Sequence, residues 1–149
     1  MSELEPVVLA LTSDENYFPG LYCAVASALS AMDPAREVDV KVLDGGLSQA
    51  SRDTLARLIE RIGKHAQLDF VKADPSIFDK ATLGPGQSPL AYCRILLPDL
   101  LDVPRLIYLD CDVLVFRDLS ELFDLQLSPG KIVAAVPDSE TLTLVDDSR

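Results

Sequence analysis

Short apolar runs and helical repeats alternate along this chain, and that alternation limits its fold more than any other feature. Val7 to Leu11 is a continuous apolar run that suits a strand covered on both faces. Thr12 to Asn16 is polar and turn-like. A helix rich in Ala and Leu is expected from Pro19 to about Met32, with Pro in its first turn and Asp33-Pro34 at its end. Val38, Val40 and Val42 alternate with Asp39 and Lys41, and Leu43 extends this second strand. Asp44-Gly45-Gly46 is a turn, and Ser48 is a good N-cap. Leu55, Leu58, Ile59 and Ile62 fall on one face of a helix over Gln49 to Ile62, which Gly63 closes before a third strand at Leu68 to Val71. This order predicts an α/β fold with a mainly parallel sheet flanked by helices. Ligands of such sheets gather outside the carboxyl ends of the strands, which singles out Thr12 to Tyr17, Asp44 to Ser48 and the loop after the next strand.

The second half is less regular. Lys72 to Ser88 is rich in loop residues, with Pro75, Pro85, Gly84 and Gly86. Tyr92 to Leu97 reads as a helical turn that Pro98 interrupts. A fourth strand is expected at Arg105 to Leu109, a β-rich run at Val113 to Phe116, a short helix capped by Asp118 through Phe123, and a last strand at Lys131 to Val136. A last strand without a following partner would leave apolar surface exposed, with self-association expected from it. There is no internal repeat.

Charge narrows the function classes. The 149 residues carry 24 carboxylates against 13 Lys and Arg, for a net charge of −11. A nucleic-acid binder or a ligand of anionic membranes would show a basic footprint instead. An acidic chain meets a polyanion by recruiting a cation between the two. Three cysteines, Cys23, Cys93 and Cys111, with no CxxC spacing, read as free thiols of a reducing compartment. Met1 to Pro6 has no basic n-region, and no apolar run reaches the ~20 residues of a membrane span, so a cytoplasmic location without a transmembrane segment is expected.

The segment richest in chemistry is Arg105-Leu-Ile-Tyr-Leu-Asp-Cys-Asp-Val-Leu-Val. In an extended chain, residues i and i+2 share a side about 6.5–7 Å apart. Asp110 and Asp112 then converge on one cation while the Cys111 side chain points away. Two carboxylates with no nearby Lys or Arg suit a hard ion, Mg²⁺ or Mn²⁺, that keeps positions open for phosphate oxygens. The bland reading is a strand-end turn with solvated carboxylates.

The run Tyr108-Leu-Asp-Cys-Asp-Val-Leu-Val followed by Asp118-Leu119 resembles the DxD segment of glycosyltransferase family 8, which includes bacterial lipopolysaccharide galactosyl- and glucosyltransferases, glycogenin and galactinol synthase. Ser13-Asp-Glu-Asn-Tyr17, Val42-Leu-Asp-Gly-Gly-Leu-Ser48 and Tyr92-Cys-Arg94 are similar to three further family segments, in the same order. The resemblance runs to about Asp138 and implies a GT-A fold that binds a UDP-sugar. It also implies a retaining transfer of a hexose to a saccharide or lipid-linked acceptor, with Mn²⁺ or Mg²⁺ on Asp110 and Asp112. Asp14, Asn16, Tyr17, Arg94 and Cys111 are then the candidate nucleotide-sugar contacts. A carboxylate and an amide suit uracil N–H and ribose hydroxyls, and an arginine suits donor charge. Asp138 matches an acceptor-side position. Other readings stay open: an Asx turn for Asp14 and Asn16, core packing for Tyr17, and a surface helix turn for Arg94.

The family's third metal ligand is a His near the far end of the catalytic domain, and the one His here, His65, lies between a helix end and a strand. The whole chain, residues 1–149, therefore resembles the nucleotide-sugar-binding front of a single, apparently truncated GT-A domain. The alternative function is a non-catalytic remnant that binds UDP-sugar weakly or not at all. A nucleotidyltransferase ranks lower, because Thr12 to Tyr17 has neither Gly nor a basic residue.

Overall fold

The structure is a computed structural model and describes residues 5–63, 65–80 and 88–136. Three parallel strands form its centre: β1 (Val7–Ser13), β2 (Val38–Asp44) and β3 (Ala66–Lys72). A two-residue β4 (Ile107–Tyr108) pairs with β1, so the order across the sheet is β3-β2-β1-β4. The expected parallel α/β fold is present. The strands run past their apolar centres: Thr12 and Ser13 pair with Leu43 and Asp44, because backbone ladders continue whatever the side chain.

Both faces of the sheet are covered. Helices α1 (Phe18–Ala31) and α2 (Gln49–Ile62) lie on one face, where Leu21, Val25, Leu55 and Leu58 pack with Leu9, Leu11, Val40 and Val42. Ser48 caps α2 through a side-chain bond from the Ser51 N–H, and the Gly63 N–H closes it on Ile59 O. Ala10 and Leu43 face the other side, against Leu90, Cys93, Leu97 and Leu101. This second cover is one winding segment: α3 (Pro89–Tyr92), a 3-10 turn (Cys93–Leu96) and α4 (Leu97–Leu100). Pro98 does not interrupt a helix, as its position suggested; it sits in the first turn of α4, where its missing N–H costs nothing.

Two expected strands are absent. Val113 to Phe116 is not part of the sheet, although its alternation is real: Val113 and Val115 pack toward the core while Leu114 and Phe116 are exposed. The Val115 N–H is taken by the Ser27 hydroxyl of α1 at 3.0 Å, in place of a neighbouring strand. Lys131 to Val136 has no regular structure, and Ile132 and Val136 are more than nine-tenths exposed. Strand-like composition needs a ladder partner to become a strand, and none pairs with it among the described residues.

The last helix, α5 (Ser120–Asp124), is tied down by charge and shape. Asp118 receives the Ser120 N–H and hydroxyl at its start. Phe123 is buried, and the almost fully buried Arg36 holds Asp124 with a two-pronged pair at 2.8 and 3.1 Å. No helix among the described residues is long and apolar enough to cross a membrane. All three cysteines are free thiols.

Candidate functional site

The chain leaves β1 on one side toward β2 and β3, and returns on the other side in β4. Strand order therefore reverses at the β1–β4 junction, and in parallel sheets ligands gather at the carboxyl edge of such a junction. The loops at this edge are those singled out from the sequence. Ser13 O receives the Gly45 N–H at 2.9 Å, and Thr12 O receives the Cys111 thiol at 3.1 Å, so the ends of β1, β2 and β4 are stitched together.

After β1, one Asp14 carboxylate oxygen accepts the N–H groups of Asn16 (3.0 Å) and Tyr17 (3.1 Å). This is an Asx turn, which fixes the backbone at the entrance to α1. Tyr17 is 63% exposed and is not a core tyrosine. After β2, the buried Asp44 closes its own turn by accepting from Gly46 and Leu47 at 2.8 and 2.7 Å, and its other oxygen pairs with Arg52 at 2.6 Å. Gly46 has φ +120°, a left-handed value that explains glycine there.

Glu15 was missed by sequence reasoning. Its carboxylate accepts the Ser48 N–H (2.7 Å), the Ser48 hydroxyl (3.0 Å) and the Ser51 hydroxyl (2.9 Å), tying the β1 loop to the start of α2. No local pattern announces a contact between residues so far apart in sequence. The Ser48 backbone N–H, then the Ser51 hydroxyl, hold the Glu15 carboxyl below its ordinary 4.5. The stabilisation is therefore present above that value and disappears as pH falls through the lowered one. Glu15→Ala is expected to speed hydrogen exchange of the Ser48 amide by roughly tenfold at neutral pH, with the difference from wild type vanishing in acid. An unchanged rate would mean that Ser48 is held without Glu15.

The β4 loop departs from expectation in two respects. The strand ends at Tyr108, and Cys111 and Asp112 form a turn, so the two carboxylates are not alternate residues of an extended strand. Nor is the pair free of basic neighbours: Arg94, carried in by the winding segment, lies 3.0 Å from Asp110 Oδ1. The guanidinium also donates through Nε to Ala91 O at 2.7 Å and stacks 4.8 Å from the Tyr108 ring centre. Burial pushes the Tyr108 phenol up to about 12 and the Cys111 thiol up to about 11, so both are neutral at physiological pH. The Cys111 side chain is directed at β1, away from solvent, as its place between the two aspartates suggested.

Gly20 shapes the same turn. A Cβ built there would lie 2.5 Å from the Cys111 carbonyl oxygen, so the first turn of α1 rests directly on the backbone between Asp110 and Asp112. Sequence reasoning gave Gly20 no role.

A family model described as glycosyl transferase family 8 matches residues 8–148. The chain belongs to glycosyltransferase family 8. It is 35% identical over 130 residues to general stress protein A of Bacillus subtilis (strain 168), covering 85% of this chain and 44% of that protein. It is 30% identical over 139 residues to probable galacturonosyltransferase-like 4 of Arabidopsis thaliana, covering 89% of this chain and 38% of that one. Among solved structures, galactosyltransferase LgtC in complex with donor and acceptor sugar analogs superposes with a TM-score of 0.73 at 31% identity, over 82% of this chain and 44% of that one. The fold is thus the GT-A fold of family 8 transferases, and the chain spans less than half the length of these relatives.

Of the family-derived site residues, Asp14, Asn16, Tyr17, Arg94, Asp110, Cys111 and Asp112 all lie on segments that meet at this edge. Asp138 lies outside the described residues. His65 sits between α2 and β3, and its carbonyl receives the Val38 N–H at the start of β2, the opposite end of the sheet. Two exposed carboxylates on one turn are oxygen donors of the kind a hard divalent ion takes, so the residues present fit such an ion. No group of three His, Cys, Asp or Glu side chains converges among the described residues.

Proposed function

We propose that this chain forms the donor-binding side of a metal-dependent, retaining hexosyltransferase. The observation that carries this reading is the meeting of the Asp14–Tyr17 loop, Arg94 and the Asp110–Asp112 turn where strand order reverses. In this reading Asn16 and the Asp14 loop meet the nucleoside of a UDP-sugar, and exposed Tyr17 lies against the base. Asp110 and Asp112 hold Mn²⁺ or Mg²⁺, and Cys111 between them contacts the nucleotide-sugar. A bound divalent ion supplies positive charge for the departing diphosphate. Arg94 adds a second positive group on the same side, and the rigid Asx turn at Asp14 keeps the loop ready for the ligand. The acceptor would be a saccharide or a lipid-linked sugar, as in lipopolysaccharide synthesis in the cytoplasm. Asp138 is the candidate on the acceptor side.

The alternative is a chain that binds UDP-sugar weakly and does not turn it over. Its support is the ligand set of two carboxylates, because a cation held by two groups is poorly fixed and preorganisation is most of what such a site offers. Exposed Phe116, Ile132 and Val136 support self-association. The test is calorimetric titration of the chain with UDP, once with Mn²⁺ and once with chelator. Binding is expected with the metal and much weaker without it. Equal binding in both would remove the metal from the reading.

A further inference from the structure

Asp110, one of the two carboxylates assigned above to a metal ion, already serves one cation in this structure. Arg94 Nη1 lies 3.0 Å from its Oδ1. Both side chains are roughly half open to water, at 40% and 48% exposure, so the pair is readily broken. The guanidinium has two further anchors that do not depend on Asp110, the Ala91 carbonyl at 2.7 Å and the Tyr108 ring at 4.8 Å. If Asp110 turns to another cation, Arg94 stays beside the site rather than swinging away. A divalent ion on Asp110 and Asp112 then has a fixed positive neighbour, and only an anion between the two relieves the repulsion.

We propose that Arg94 acts as a resident counter-cation of Asp110, suppressing metal binding until a diphosphate arrives and so making metal and nucleotide bind cooperatively. This rests on the metal reading above. By linkage, whatever factor UDP adds to metal affinity, metal adds to UDP affinity. Removing Arg94 acts in opposite directions on the two halves of the cycle. Asp110 loses a competitor, so metal alone binds more tightly. The diphosphate loses a partner, so the mutual enhancement shrinks.

The experiment is a titration of the chain with Mn²⁺, following the free-ion electron paramagnetic resonance signal, with and without saturating UDP. Wild type, Arg94→Ala, Arg94→Lys and Asp112→Ala are compared. Arg94→Ala is expected to bind Mn²⁺ alone about three- to tenfold more tightly than wild type, and to show a smaller gain on adding UDP. Arg94→Lys keeps the charge and should restore much of the suppression, which a loss of folding would not do. If Arg94→Ala binds Mn²⁺ alone no more tightly than wild type while Asp112→Ala weakens binding, the counter-cation role is overturned and the metal site stands. If no variant binds Mn²⁺ with or without UDP, the metal reading fails and this proposal with it.

Discussion

Asp112→Ala should abolish the metal-dependent part of UDP binding, lowering affinity in Mn²⁺ by roughly 10- to 100-fold and leaving affinity in chelator unchanged. The range follows from ~1.5–3 kcal/mol for a contact to a charged group, at about 1.4 kcal/mol for each factor of ten. Asp112 is the cleaner of the two positions. It is exposed and has no ion pair among the described residues, so its loss disturbs little else. Asp110→Ala also releases Arg94, and mixes a lost ligand with a freed cation. The measurement is calorimetric titration of both variants in the two conditions, with thermal unfolding as a control on the fold. A variant at Asp112 that keeps the full Mn²⁺ effect would show that the cation sits elsewhere.

Gly20→Ala should destabilise the chain and weaken UDP binding together, and here two effects of opposite sign compete. Gly20 lies in the first turn of α1, where replacing glycine by alanine in a helix ordinarily gains roughly 0.5–1 kcal/mol. The new Cβ would meet the Cys111 carbonyl oxygen at 2.5 Å and its carbon at 3.4 Å. These are backbone atoms and have no rotamer to yield with, so α1 and the aspartate turn must move apart. Overpacking of this kind costs about 1–3 kcal/mol, which exceeds the helical gain. The helix is held by buried Leu21, Ala24 and Val25, so the exposed turn carrying Asp110 and Asp112 is the part that gives way. Urea unfolding and UDP titration in Mn²⁺ check both halves. An alanine variant at least as stable as wild type, with unchanged UDP affinity, would show that the close approach is not needed.

These two residues illustrate how unevenly the site could be read from the chain. Asp112 stands in a local pattern, two carboxylates closing an apolar run, and local patterns survive without coordinates. Gly20 has no local signature, since its reason is the Cys111 carbonyl oxygen, an atom far away in sequence. The same division separates Asp14, whose Asx turn closes on Asn16 and Tyr17, from Glu15, whose partners are Ser48 and Ser51. Even the resemblance to family 8, which implied a donor contact for Arg94, did not say that its guanidinium rests on Asp110.

What the sequence determined by itself was everything carried by short-range periodicity. Helix α2 has its expected ends, because Ser48, the Leu55–Ile62 stripe and Gly63 are a cap, a face and a stop within one segment. The strand centres at Val7 to Leu11 and Leu68 to Val71 followed from short apolar runs, and that at Val38 to Leu43 from alternation of Val with Asp39 and Lys41. Their alternation with helices put the important loops on one edge. Only the tertiary structure decided which strand-like runs find a ladder partner: β4 keeps two residues on β1, Val113 to Phe116 leans on Ser27 instead, and Lys131 to Val136 pairs with nothing described. It also decided the charge balance at the carboxyl edge, by setting a cation from the winding segment against the first aspartate. The physical reason is the same in both cases. A strand and an ion pair are each completed by a group from elsewhere in the chain, and periodicity within a segment carries no information about that group's position.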